Sequence, residues 1–381
     1  MMAADVLFVA ANIAVLAFIV QPKSLAVFFA ASLTFLVLRD ALPQRLSTVS
    51  QAIGIVSLIL LLLYYRSSSL LFNDTLRQWV AAHFPGQAGL FSTTLLAALG
   101  VSYCFLRAIY ALRDRSVTLW SFARYYFFAP TFFSGPIITP TAFAIERFSM
   151  NRRNLLEGGA RVVYGVLKFI ASSALQLLVP LATLHHAVLA LQSYPWWWLW
   201  LTLFATGFWL YLNFSAFADI AIGVGRVLGF RVPENFNNPF AATDLTDFWR
   251  RWHITLGDWL RANIFNPLAR RLGVVLSRNS ILVAIASALF TMIVCGLWHQ
   301  TTPAFLAWGA MHGVGLGLHQ AWRRYLRPLL ADDVEGQRWY VVASWAVTHV
   351  FVNLSWVLFF PVDAPSFEFR VRYAKRLFGL E

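Results

Sequence analysis

The chain has 381 residues, of which 59% are hydrophobic and only 12% are charged, and its formal net charge is +13. Soluble domains carry roughly 25% charged residues, so this composition excludes an ordinary water-soluble protein and predicts an all-α integral membrane protein. The positive charge does not indicate nucleic-acid binding, because the arginines lie between apolar runs, as in loops that face anionic lipid.

Length and composition predict one membrane-embedded domain over residues 1–381. At about 20 residues a span plus loops, the chain has room for roughly ten to eleven membrane helices. No internal repeat is visible in the sequence, which weighs weakly against transporters built from inverted repeats. Cys104 and Cys295 lie inside apolar segments and are interpreted as small buried residues rather than a disulfide or metal ligands.

The first predicted helix is Val6–Val20. It has no preceding basic cluster and no small-residue cleavage site after it, so we expect it to be retained rather than removed as a signal peptide. The next predicted segments are helices at Leu25–Leu38 and Ala52–Tyr65, a loop at Ser67–Gly89 and a full-length span at Leu90–Leu112.

The segment Leu119–Ile138 is aromatic, is interrupted by Pro130 and ends in TFFSGPI. Proline and glycine at membrane depth free backbone groups that lipid cannot satisfy. The pattern therefore predicts a broken or re-entrant helix.

The second half of the chain alternates apolar spans with basic or polar segments. The predicted spans are Val162–Leu184, Leu201–Ser215, Ile281–Leu297, Ala304–Leu318 and Tyr340–Phe360, and the segment Ala216–Phe230 follows the second of them. An aromatic belt at Tyr194–Trp200 opens the span Leu201–Ser215. The other predicted segments are a basic loop or interfacial helix at Arg147–Arg161, a charged loop at Arg323–Arg338 and a basic tail at Pro361–Glu381.

Between Ala216–Phe230 and Ile281–Leu297 no clean span is visible, and polar residues accumulate. The run WRRWHITLGDWL has helical amphipathic phasing, and Asp244 and Asp247, with Thr243 and Thr246 as competitors, are predicted caps at its start. The prolines and asparagines of the preceding PENFNNP predict an ordered turn that lines a polar funnel.

Two histidines each follow a tryptophan, His253 in RRWH and His299 in GLWH. Ionisable groups at membrane depth are costly and usually line a cavity. A neutral imidazole there can accept a proton from a hydroxyl. From the residues alone, a structural hydrogen bond at a helix end remains open for both.

Other chemistries find little support. The sequence has no GxSxG, HExxH or glycine-rich phosphate loop, and no metal site is predicted. His312 and His319 are seven residues apart without a carboxylate or cysteine beside them. Asp219 is interpreted as a structural anchor, with a catalytic role as the alternative. The remaining histidines are interpreted as structural or interfacial: His83, His185, His186 and His349.

Several of these motifs together resemble one family, the membrane-bound O-acyltransferases. They are FADIAIGVGRVLGFRVPENFNNPF, DFWRRWHITLGDWLR, GLWH, WGAMHG and TFFSGPI. The closest resemblance is to the bacterial branch, which includes the alginate O-acetylase and the membrane protein that transfers D-alanine to teichoic acids. The resemblance covers a core of about residues 131–319.

The resemblance implies a ring of membrane helices around a central channel, with His299 as the catalytic base and His253 as its second residue. The residues implied to shape the substrate approach are Arg250, Arg251, Asn235, Asn238, Trp252 and Trp298. No bound cofactor and no metal are implied. The co-substrate is an acyl thioester, either acetyl-CoA or an acyl carrier protein.

The implied reaction moves an acyl group, acetyl first and D-alanyl second, to a hydroxyl of a cell-envelope or secreted polysaccharide. Implied partners are membrane lipids, the donor or its carrier protein, the acceptor polysaccharide and a periplasmic or extracellular SGNH-type acyltransferase. The implied location is the bacterial plasma (inner) membrane, with many spans. A non-enzymatic transporter of envelope precursors remains the alternative.

The chain departs from the family pattern at two places. Gln300 stands where a glycine usually follows the histidine. Ala262 and Asn263 replace an aspartate and a tyrosine, although Arg261 is kept. The first departure affects the pocket beside His299, and the second affects donor docking. The arginines Arg250, Arg251, Arg261, Arg270 and Arg271 are expected at the cytoplasmic mouth, to meet donor phosphates or an acidic carrier or simply as positive-inside residues.

Overall fold

The computed structural model describes residues 2–19, 22–43, 46, 49–57, 93–132, 135–146, 148–178, 194–276, 281–359 and 367–380. The regular elements in these ranges are helical, which confirms the predicted all-α class. The α-helices are α1 Met2–Ile19, α2 Pro22–Ala41, α3 Thr93–Arg113, α4 Leu119–Tyr126, α5 Pro140–Ile145, α6 Arg152–Leu178, α7 Trp196–Val227, α8 Leu245–Arg251, α9 Ile254–Leu260, α10 Asn266–Leu276, α11 Ile281–His299, α12 Pro303–Ala321, α13 Arg338–Phe359 and α14 Phe367–Leu377, and residues 49–57 are also helical.

The chain forms two compact units. Unit 1 comprises residues 1–164 and 217–233, and unit 2 comprises residues 165–216 and 234–381. The long helices α6 and α7 each contribute residues to both units. The single acyltransferase domain over residues 1–381 stays a prediction.

In unit 1 the helix breaks where the sequence predicts. α4 ends at Tyr126, and a 3-10 turn at Ala129–Thr131 contains the proline. Arg107 of α3 is fully buried and donates to the carbonyls of Tyr125, Tyr126 and Phe128. On the other side of the break, Asn12 Oδ1 accepts the N–H of Ala129 at 2.8 Å. These two side chains satisfy the backbone groups that the break frees.

Asp219 is anchored by an ion pair within unit 1. Its carboxylate lies 2.7 Å from Nε and 2.6 Å from a terminal nitrogen of Arg161. The aspartate side chain is only 4% exposed, so an uncompensated charge there would be strongly unfavourable. The contact supports the structural interpretation of Asp219.

Three described helices, α7, α11 and α13, are long and apolar enough to cross a membrane. α7 is one helix of 32 residues, so the division into Leu201–Ser215 and Ala216–Phe230 is wrong. Its polar residues do not end it, because Ser215 bonds back to the carbonyl of Leu212 and Arg161 neutralises Asp219. The total of ten to eleven spans stays a prediction.

Some predicted segments lie outside the described residues, wholly or in part. They are Ala52–Tyr65 beyond residue 57, Ser67–Gly89 with His83, and the end of Val162–Leu184 with His185 and His186. The basic segment Arg147–Arg161 is described from residue 148, and most of it forms the first turns of α6.

In unit 2 the consecutive helices α11 and α12 pack with their backbones in close approach. A β-carbon added at Gly309 would lie 2.9 Å from the Cα of Ile293, and one at Gly313 would lie 2.6 Å from the Cα of Leu289. Only glycine allows such an approach, as at small-residue helix interfaces in membranes. This packing fixes α11, whose last residue is His299.

Candidate active site

The backbone is irregular at His253. The structure ends α8 at Arg251 and begins α9 at Ile254, so the single amphipathic helix predicted for WRRWHITLGDWL is wrong at this point. His253 has φ 46°, in the left-handed region that residues with a β-carbon rarely adopt. Such a conformation costs on the order of 1–3 kcal/mol and persists only when its surroundings hold it.

Asn235 is the residue that holds this break. It is fully buried, and its backbone carbonyl accepts the N–H of Ile254 at 2.9 Å. Its side-chain Oδ1 accepts from the backbone N–H of Thr255 at 3.2 Å and from the Thr255 hydroxyl at 2.8 Å. The same oxygen lies 3.2 Å from Nδ1 of His253. The predicted turn is thus a hydrogen-bonded bend at Asn235, and its place in a polar funnel stays a prediction.

Aromatic rings surround the His253 imidazole, which is 2% exposed. Phe214 meets it edge-on with ring centroids 4.8 Å apart, and Trp298 lies 6.4 Å away on another side. Trp252 is buried against Phe236, at 5.2 Å between centroids. The imidazole therefore lies in a wall of aromatic rings, and it has a polar contact with Asn235, which is in turn bonded to Thr255.

His299 approaches the same wall from the end of α11. Its ring lies 4.7 Å from Trp298, 5.1 Å from Phe359 and 5.5 Å from Trp308. The side chain is half-buried, unlike that of His253. Both histidine rings thus contact Trp298. The distance between their two ring centroids is therefore no larger than the sum of their centroid distances to Trp298, which are 4.7 Å for His299 and 6.4 Å for His253.

His312 has both ring nitrogens engaged. Trp249 Nε1 donates to Nδ1 at 3.3 Å, and Nε2 lies 2.9 Å from the Ser355 hydroxyl. That hydroxyl donates to the carbonyl of Val352, so His312 Nε2 must be the donor toward Ser355. A neutral imidazole held in this way ties α12 to α13 and is not available as a base.

His319 and the predicted caps occupy the start of α8. Asp244 caps that helix by accepting the N–H of Asp247 at 2.7 Å, which confirms the prediction for Asp244. Asp247 instead pairs with Arg251 at 2.9 Å. The hydroxyl of Thr246 lies 2.9 Å from Nδ1 of His319. These contacts are structural supports for the helix that leads into His253.

The predicted substrate-binding residues separate into two groups. Asn235, Trp252 and Trp298 lie in the wall around the histidines. The other three lie in the segments that lead to it: Arg250 is exposed, Arg251 pairs with Asp247, and Asn238 is an exposed residue with φ 43° before the turn Pro239–Ala241. Substrate contact stays a prediction for all six.

Two contributors to this wall do not emerge from sequence reasoning, Thr255 and Trp308. Thr255 reads as an ordinary helix residue, yet it locks the side chain of Asn235. Trp308 is 1% exposed, packs against His299, and has an Nε1 that meets no acceptor among the described residues. In the sequence, Trp308 is singled out only by its place in the motif WGAMHG. In the described part of the chain no three His, Cys, Asp or Glu residues group as metal ligands, and the metal-free interpretation stays a prediction.

Lowering the pH from 7 to 5 is expected to destabilise the folded protein through His253. Burial lowers the pKa of His253 from 6.5 to about 3. At a pH between these two pKa values, His253 binds a proton in the unfolded chain but not in the folded chain. The free energy of unfolding therefore falls as the pH falls, by at most about 1.4 kcal/mol per pH unit. The measurement is the Tm in detergent at pH 5, 6 and 7, for the wild type and for His253→Gln. If the Tm of both proteins falls equally between pH 7 and pH 5, His253 does not cause the loss of stability.

Comparisons with known proteins agree with the sequence motifs. The family model described as MBOAT, membrane-bound O-acyltransferase family, matches residues 61–351. A peptidoglycan O-acetyltransferase of Helicobacter pylori is 34% identical over 183 residues, which is 48% of this chain and 32% of the relative. A probable alginate O-acetylase of Pseudomonas syringae pv. tomato is 32% identical over 282 residues, 70% of this chain and 49% of the relative. A teichoic acid D-alanyltransferase of Streptococcus thermophilus is 30% identical over 295 residues, 70% of this chain and 69% of the relative. The chain therefore spans only a third to a half of the length of the first two relatives.

Proposed function

The chain belongs to the membrane-bound O-acyltransferase family, and from this we propose that it moves an acyl group from a thioester to a hydroxyl of a cell-envelope or secreted polysaccharide. The observation that carries the proposal is the shared contact of His253 and His299 with Trp298 in one aromatic wall. The relatives are named for O-acetylation of peptidoglycan and alginate and for D-alanylation of teichoic acid. Acetyl is therefore the first candidate for the acyl group and D-alanyl the second.

His299 serves as the general base in this proposal. Its imidazole takes the proton of the acceptor hydroxyl as the oxygen attacks the thioester carbonyl, and a tetrahedral intermediate forms. When the C–S bond breaks, the proton passes to the departing thiolate, so the products are one ester and one thiol. A thiolate leaves readily, so a base and good positioning are sufficient. The carbonyl end of α11, where His299 stands, favours the transient positive charge.

His253 has a different role in the same step. It is fully buried between the neutral amide of Asn235 and the rings of Phe214 and Trp298, and such burial disfavours a positive charge on the imidazole. We assign it to hydrogen bonding that orients a reactant, with the proton itself held by His299. No resident cofactor is required, and the donor is acetyl-CoA or an acyl carrier protein.

Basic residues of unit 2 support an anionic donor. Arg250, Arg270 and Arg271 are exposed, and no ion pair is found for them in the described ranges. Arg261, by contrast, pairs with Asp258 at 3.2 Å. Unpaired guanidinium groups suit the phosphates of coenzyme A or the acidic surface of a carrier protein.

The wider setting of the reaction follows from the same proposal. The chain acts in a bacterial plasma (inner) membrane with several spans, among lipids, and delivers the acyl group directly or through an SGNH-type partner outside the membrane. The competing function is non-enzymatic transport of envelope precursors, in which polar residues of the wall bind a passenger and no thioester is used.

A labelled-donor assay tests the function. Membranes that contain the protein are expected to transfer radioactive acetyl from acetyl-CoA to added de-O-acetylated alginate or peptidoglycan. The ester is measured as the radioactivity that mild base releases from the polymer. Membranes without the protein provide the background, and D-alanyl carrier protein with lipoteichoic acid is the second donor and acceptor pair. If no label reaches any polymer and no thioester is consumed while a precursor crosses the membrane, the transport function is correct and ours is wrong.

A further inference from the structure

The contacts of Asn235 fix which of its side-chain atoms is the oxygen. The atom that faces Thr255 accepts from a backbone N–H at 3.2 Å, and a backbone N–H can only donate. The amide nitrogen of Asn235 cannot occupy that position. The oxygen is therefore Oδ1, and the usual ambiguity between the two ends of an asparagine amide does not arise here.

This assignment decides where His253 carries its hydrogen. Nδ1 of His253 lies 3.2 Å from the same Oδ1, and that oxygen can only accept. Nδ1 must then be the protonated nitrogen. In a neutral imidazole only one nitrogen is protonated, so Nε2 carries the lone pair. The burial that lowers the pKa of His253 keeps the ring neutral at physiological pH.

Asn235 also fixes where the ring is. Its carbonyl binds the N–H of Ile254 and its Oδ1 binds the N–H of Thr255, so both N–H groups that follow His253 are held by one residue. These bonds compensate the left-handed conformation of His253. Phe214, edge-on at 4.8 Å, limits rotation of the imidazole.

We propose that Asn235 is the positioning residue of the active site, which holds His253 in the Nδ1–H tautomer so that Nε2 accepts a hydrogen bond from the reactant. This role rests on the proposed acyl transfer for its catalytic consequence, but the tautomer itself does not. The amide places an oxygen where a catalytic triad would place a carboxylate, and it does so without charge. His253 thus orients a hydroxyl without storing its proton, which remains with His299.

The remaining donor of Asn235 sharpens the test. Nδ2 is buried and meets no acceptor among the described residues. Asn235→Asp therefore keeps an oxygen that faces His253, removes this donor and adds a negative charge, which favours a proton on Nδ1. Asn235→Leu removes the oxygen as well. A matched control is Asn237→Leu, because Asn237 is exposed and its hydrogen bonds among the described residues are made by its backbone. Its N–H donates to the carbonyl of Arg251, and its carbonyl accepts from the Arg251 guanidinium.

Nitrogen NMR of ¹⁵N-histidine-labelled protein in micelles reads the tautomer directly, with His253→Gln to assign the signals. The wild type and Asn237→Leu are expected to show a protonated-type shift at Nδ1 and an unprotonated-type shift at Nε2. Asn235→Asp is expected to keep the protonated-type shift at Nδ1, and its carboxylate also raises the pKa of the ring. Asn235→Leu is expected to lose that pattern. A wild-type His253 protonated at Nε2 would overturn the proposal, and this readout needs neither a variant nor an active preparation.

Kinetics give the second readout if the wild type transfers label. Asn235→Leu is expected to lower kcat by about 10²-fold with KM changed by less than about threefold, because the reactant still binds but is misplaced. Asn235→Asp restores an oxygen toward Nδ1 but adds a charge, so it should recover part of that loss, and Asn237→Leu should match the wild type. An unchanged kcat in Asn235→Leu would also overturn the proposal. If the wild type transfers nothing, the proposed function fails while the NMR result still decides the role of Asn235.

Discussion

Replacing His299 by alanine is expected to lower acyl transfer by about 10²- to 10⁴-fold, the usual contribution of a general base. The imidazole ends α11, and the rings of Trp298, Trp308 and Phe359 pack against it and position it. Removing the ring leaves the hydroxyl without a proton acceptor while the donor still binds. The loss should appear in kcat rather than KM, measured as labelled ester per minute at saturating thioester.

The matched control for this experiment is His319→Gln. His319 also lies in the last turn of a helix, α12, and its Nδ1 is 2.9 Å from the Thr246 hydroxyl. No ring contact between His319 and Trp298 is found among the described residues. We expect its transfer rate to stay within about threefold of the wild type. Equal elution on size exclusion and an equal Tm would show that His299→Ala is folded. Full transfer by folded His299→Ala would mean that another group is the base.

Replacing Gly309 by alanine is expected to destabilise the protein by about 3 kcal/mol, at the upper end of overpacking effects. The added β-carbon would collide with the backbone carbonyl of Met292 and lie 2.9 Å from the Cα of Ile293. Backbone atoms cannot rotate aside, so α11 and α12 must separate. The gain in helix propensity from glycine to alanine, about 1 kcal/mol, is too small to compensate. Because α11 carries His299, transfer activity should fall together with the Tm.

Gly159→Ala is the matched control, since the chemical change is identical. Gly159 lies in α6, and a β-carbon there would meet nothing within 4 Å. Only the propensity effect applies, so the Tm in detergent should stay equal or rise slightly. If Gly309→Ala and Gly159→Ala shift the Tm equally, the close approach of α11 and α12 does not limit stability.

Much of the fold class could be predicted from hydrophobic patterning, because a membrane requires long apolar helices and tolerates breaks only where partners exist. The break at Pro130 was predicted for this reason, and Arg107 and Asn12 are the partners that the structure supplies. The division of α7 is wrong because Ser215 and Asp219 lie inside one continuous helix. Whether a polar residue breaks a helix depends on what meets it, and Arg161 is 58 residues away from Asp219.

The position and state of His253 show the same limit. Amphipathic phasing predicted a continuous helix through it, since phasing measures only which residues are apolar. The left-handed backbone at His253 depends on hydrogen bonds from Ile254 and Thr255 to Asn235, 18 residues earlier than the histidine. Such a strained conformation is favourable only after those partners are assembled, and no local propensity encodes it.

The sequence by itself determined the membrane class, the family motifs and the two histidines that follow tryptophans, because these are properties of residue type and spacing. The tertiary structure alone decided how the surroundings of these histidines differ. It occupied both nitrogens of His312, buried His253 against an amide oxygen, and left His299 half-buried at the end of α11. The physical reason is that a histidine's tautomer and its access to a proton are set by the donors and acceptors around the ring, and those come from residues distant in the chain.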